Sequence, residues 1–193
     1  LIVMDTTTDK PVFISPVPPA KIRGLRWASE EHLFLQMSDT QNMQAMFGTT
    51  MEIWNVFWVN IRDKKAGFVF KDDPGVADAV FGTFGTAQVD GKTYGYFGGI
   101  PLRRSTASRA GYDWDRSMER DRFRVYLDDG DVRSEAKSVE DGNHDWIVGP
   151  DGKVAATAIY FTKEGNWRLH PGAGKNKPLR EIKTPLQDME LSG

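Results

Sequence analysis

The chain contains no cysteine, which removes disulfide staples, thiol catalysis and cysteine-based zinc sites together. That absence suits the cytoplasm and the periplasm equally. Long apolar runs are also missing: none reaches the roughly 18 residues that a membrane-spanning helix needs. Neither sign of charge dominates, since 25 basic residues face 27 acidic ones for a net charge of −2. There is therefore no electrostatic basis for binding nucleic acid or an anionic membrane. Histidine is scarce, with three in 193 residues and no His-x-x-x-His pairing, and no cofactor or metal is expected. None of the nine serines sits in Gly-x-Ser-x-Gly, the strained turn that presents a hydrolase nucleophile.

What is present is an aromatic-rich, strand-patterned chain. Eleven Phe, six Trp and five Tyr, with 39% hydrophobic residues, argue for a packed core rather than disorder. Six stretches read as strand, polar turn, strand: 1–15, 22–38, 51–70, 80–97, 123–137 and 146–161. A seventh, weaker pair runs from Asn166 to Lys183. In Phe123-Arg124-Val125-Tyr126-Leu127 the apolar residues share one face, and Asp129-Gly130 follows as a turn. Asp90-Gly91, Asp151-Gly152 and Glu164-Gly165 repeat the device, because glycine tolerates the positive φ that tight hairpins require.

Chained hairpins predict an all-β fold. Paired as four-stranded units they give a half unit at 1–15 and whole units at about 22–70, 79–137 and 144–183. This is the pattern of a partial β-propeller of about three and a half antiparallel blades. A β-sandwich is the alternative, because local alternation does not say whether sheets fan radially or face each other. Leu1-Ile2-Val3-Met4 reads as the middle of a strand, and Leu186 to Glu190 ends without a cap, so a piece of something longer is expected. The bare sides of a partial propeller predict self-association.

Candidate chemistry is thin. The stretch from Pro101 to Arg122 lacks periodic apolar content and is longer than most connections in a compact domain. Within it Trp114, Arg103, Arg104, Arg109 and Arg116 form the candidate ligand-binding set, suited to a sugar or peptide groove and to an anion such as a peptide carboxylate. Asp113, Asp115 and Glu119 lack the central glycine of a calcium loop. His32 falls in the turn Ala28-Ser29-Glu30-Glu31-His32, where solvation is the expectation. His144 next to Asp145 is expected to hydrogen-bond at a strand start. The carboxylate pairs Asp72-Asp73, Asp128-Asp129 and Glu140-Asp141 are explained by turn chemistry. Gly172-Ala173-Gly174-Lys175 is expected as a surface turn, since the earlier glycine of a phosphate loop is absent. Strand tryptophans Trp27, Trp54, Trp58, Trp146 and Trp167 are expected to pack between sheets.

Three segments carry a resemblance, the first of them Leu1-Ile2-Val3-Met4-Asp5 with Lys10-Pro11-Val12, which looks like the outer hairpin of a propeller blade. Ile22-Arg23-Gly24-Leu25-Arg26-Trp27-Ala28-Ser29-Glu30-Glu31-His32-Leu33-Phe34-Leu35 resembles an inner strand pair in the propeller domain of prolyl-oligopeptidase-family serine peptidases. Asp145 to Val154, continuing to Asn166-Trp167-Arg168-Leu169, is similar to a later blade of bacterial members. The resemblance implies a non-catalytic N-terminal propeller portion that gates access of short peptides to a C-terminal α/β-hydrolase domain of the same parent chain. No catalytic residue is implied here, and Glu30-Glu31 in a tight turn does not match the family's amino-terminus-binding glutamate pair. A stand-alone carbohydrate- or peptide-binding β module is the competing expectation.

Overall fold

The Asp-Gly positions are where the chain reverses. Asp90 and Gly91 both take positive φ, 51° and 73°, the type I′ geometry whose twist matches that of the strands it joins. Gly130, Gly152 and Gly165 sit at φ 84°, 77° and 61° in the equivalent turns. The computed structural model describes residues 1–42, 50–102, 121–137, 142–174 and 176–184. Among them are strands only, and no helix.

The first hairpin is β1 (Ile2–Asp5) with β2 (Lys10–Ile14). Three four-stranded antiparallel meanders follow in chain order. The first holds β3 (Lys21–Trp27), β4 (His32–Asn42), β5 (Thr50–Asn60) and β6 (Lys65–Phe68). The second holds β7 (Thr83–Val89), β8 (Lys92–Gly99), β9 (Asp121–Tyr126) and β10 (Val132–Ala136). The third holds β11 (Gly142–Val148), β12 (Val154–Phe161), β13 (Asn166–Pro171) and β14 (Arg180–Lys183). The fold is all-β, as the alternation predicts, and no described sheet closes into a barrel.

Each sheet packs on the next one in sequence. Phe13, with Leu1 and Val3, seats the hairpin on Leu33, Leu35, Met37, Phe57 and Val59 of the first meander. The other face of that meander offers Phe34, Val56 and Trp58 to Phe97, Phe123 and Val125 of the second. The second meander then turns Phe84, Ala87 and Tyr96 towards Trp146 and Val148 of the third. Alternation makes this possible: Phe97 points one way and Tyr96 the other, so a single strand serves two cores. Gly85, at φ 137°, marks the tightest approach between the last two sheets: a Cβ there would stand 2.7 Å from the Val148 carbonyl oxygen. This serial order fits a partial propeller and a stack of layered sheets alike.

Two tryptophans depart from expectation. Trp58, Trp146 and Trp167 are buried, but Trp27 is 57% and Trp54 46% exposed. Trp27 lies on edge strand β3, over which nothing described packs. The hairpin read as 22–38 also extends further, since β4 runs on to Asn42 and pairs with β5 from Thr50.

Candidate functional site

Trp114, Arg103, Arg104, Arg109 and Arg116 lie outside the described residues, as do Asp113, Asp115 and Glu119. The ends of their loop are described: Gly99, closing β8, pairs with Asp121, which opens β9. The residue after that anchor is the most unusual polar group among those described.

Arg122 is 7% exposed, on the face of β9 that looks across to the third meander. Its guanidinium lies over the Trp146 ring at 5.6 Å and reaches Glu135 only at 3.9 Å. Its Nε and Nη1 are buried without a hydrogen-bond partner. Burial pulls the guanidinium's pKa down, opposed by the Glu135 carboxylate. Two residues along the same face, Arg124 sits 3.1 Å from Glu135 and stacks on Tyr94 at 4.6 Å. Two cations thus share one carboxylate between aromatic rings. The surplus positive charge and the orphaned donors suit a carboxylate or another small anion.

His144 flanks this cluster on β11. It is 8% exposed, with its ring 5.2 Å from that of Trp146. Burial, and to a lesser extent the neighbouring His170, lower its pKa from 6.5 to about 4. The imidazole is therefore neutral at pH 7. A histidine whose pKa falls on folding contributes stability above pH 6.5 and loses it as pH drops towards 4. Acidification across that window is expected to remove up to about 3 kcal/mol, and His144→Gln should flatten the profile. Urea denaturation at stepped pH checks this; equal slopes for the two proteins would refute it.

A second polar cluster joins the first and second meanders. Asp128, in the turn after β9, accepts hydrogen bonds from His32 Nε2 at 2.7 Å, Asn60 Nδ2 at 2.7 Å and Tyr126 Oη at 2.5 Å. His32 Nδ1 meets Ser29 Oγ at 2.8 Å. Contrary to the sequence expectation, His32 is only 3% exposed, because the second meander closes over its turn. Ser29, His32 and Asp128 share the connectivity of a nucleophile–base–acid relay. The Ser29 oxygen, however, also accepts the backbone N–H groups of Glu31 and His32, both at 3.2 Å. With its lone pairs engaged and its base enclosed, this serine is held as a turn cap. The cluster is a clamp between sheets.

The remaining candidates separate cleanly. Glu31 pairs with Arg62 at 2.7 Å in the turn region, as expected of a solvated residue. Residues 172–174 form the turn between β13 and β14. No group of three or more metal-ligating side chains occurs among the described residues, and no described helix is long and apolar enough to cross a membrane. Sequence reading missed Arg122 and Asp128. An arginine alternating with Phe123 and Val125 is, by pattern alone, a solvent-facing strand position, and only the presence of a following sheet reverses that.

Fold and clusters together define an all-β stack of antiparallel meanders with an arginine-bearing inter-sheet seam. No protein-family model, curated protein or solved structure matches the chain.

Proposed function

We propose that this chain is a non-catalytic β-propeller portion of a serine exo- or oligopeptidase of the prolyl-oligopeptidase type, shaping access of short peptides to an α/β-hydrolase domain elsewhere in the parent polypeptide. The observation that carries this reading is the serial packing of four-stranded meanders, each offering one face to the sheet before it and one to the sheet after. The saturated hydrogen bonding of Ser29 supports a scaffold rather than a nucleophile. The partners in this reading are the hydrolase domain and short peptides, with self-association through the exposed outer face of the first hairpin at Ile2, Met4 and Ile14. The coding sequence downstream of Gly193 tests it. A hydrolase domain with Gly-x-Ser-x-Gly is expected there, and a stop codon directly after Gly193 overturns the reading.

One observation favours a peptide-binding module acting by itself: the unpartnered donors of Arg122. That reading expects short peptides with a free C-terminal carboxylate to bind this chain, and Arg122→Met to weaken them at least tenfold. Calorimetric titration with amidated peptides as the control decides it; equal binding of acid and amide forms counts against it.

A further inference from the structure

The first meander turns one of its apolar faces to the hairpin, and only part of that face is covered. Cross-strand partners share a face, so the register Trp27↔Leu33, Leu25↔Leu35 and Ile22↔Met37 continues the hairpin interface onto β3. Leu33, Leu35 and Met37 are 2–3% exposed beneath the hairpin, whereas Ile22, Leu25 and Trp27 are 63%, 60% and 57% exposed. The covered and bare halves are one continuous surface.

The hairpin ends where the bare strip begins. Pro11 to Ser15 of β2 and its flank line a groove of about 500 Å³ with Lys64 and Ala66, which places β2 beside β6; β3 is the strand of that face left exposed, so β1 is the hairpin edge turned towards it. Leu1 and Ser15 exchange both backbone hydrogen bonds. Antiparallel alternation then turns the N–H and C=O of Ile2 away from β2, along the free edge of β1. Among the described strands, the hairpin sheet has two where each of the others has four.

We infer that this step, with the free edge of β1 as its wall and Ile22, Leu25 and Trp27 as its floor, is a docking site for a two-stranded extended segment of a partner polypeptide, apolar on one face, which pairs antiparallel with β1 and completes a four-stranded sheet. A second copy of this chain does not fit. Joining β1 to β1 about a twofold axis puts both copies' β3–β6 sheets on the same side, where β3 of one occupies the space of the other. The inference rests on the edge and the strip alone, and holds with or without a hydrolase domain.

The probe is a display library of two-stranded hairpins, about seven residues per strand to match β3, apolar at alternate positions and joined by Asn-Gly. Enriched hairpins are expected to bind the chain, shift Trp27 emission to the blue and protect it from iodide quenching. Leu25→Lys, on the floor, and Ile2→Pro, which removes an edge donor, are each expected to weaken binding at least tenfold while circular dichroism stays that of the parent. Trp27→Phe should abolish the emission shift and retain binding. No enrichment, equal binding by all variants, or protection of Trp27 by dimerisation of the chain alone would overturn the inference.

Discussion

Replacing Phe97 by alanine is expected to cost about 4 kcal/mol, the largest loss from any single truncation in the described core. Phe97 is fully buried between the first two meanders, with ring centroids 5.3 Å from Phe34 and 6.4 Å from Phe70, both edge-on. Three aromatic residues, from β4, β8 and the bend after β6, meet there, so the surroundings have little freedom to collapse into the void. The fit extends to the backbone: a Cβ on Gly95 would stand 2.5 Å from the Phe97 ring and 2.9 Å from that of Phe34. Gly95→Ala should therefore be destabilising in the parent and clearly less so in the Phe97→Ala background. Urea denaturation of the four proteins measures both effects. A loss under about 1 kcal/mol for Phe97→Ala would mean that the two sheets do not share this core.

Asp128→Ala is expected to cost about 3 kcal/mol, because it leaves buried donors on His32 and Asn60 and frees the Tyr126 hydroxyl. Burial alone would raise the Asp128 pKa; hydrogen bonds from Tyr126 and His32 outweigh it and hold the carboxyl below its ordinary value of 3.8. A carboxyl lowered in this way stabilises the fold above that value and loses its contribution as pH falls below it. The gap between parent and variant should thus close in strong acid. The partner reports separately. Tyr126, raised to about 12 chiefly by its bond to Asp128, should return towards 10 in the variant. An ultraviolet phenolate titration reads that change, and an unmoved Tyr126 would show that the bond is not made in solution.

How much of this was legible beforehand depended on whether the cause was local. The hairpins were, because Asp90-Gly91 and Asp129-Gly130 carry their turn geometry in two residues and Phe123-Val125 carries its face in three. Burial that arises from a following sheet was not. Arg122 alternates with apolar neighbours as a surface residue does, yet the third meander covers it. His32 reads as a turn residue, and its enclosure depends on Asp128, 96 positions away. The error ran the other way at Trp27, whose strand pattern is that of a core residue but whose covering layer is not among the described strands. The stretch holding Trp114 and Arg109 gave little periodic signal and lies outside the described residues; only its boundary at Asp121, paired with Gly99, is described.

Because the cores between sheets that the described residues form each join sequence neighbours, the molecule is expected to behave mechanically as a short row of slabs held at three junctions. Damage at one junction does not propagate through a common centre. Cooperativity then depends on how well adjacent slabs grip each other, and a weakened seam divides the row in two rather than melting it throughout. A protease is accordingly expected to cut a Phe97→Ala chain first in the linker at residues 70–82, releasing the first slabs still folded.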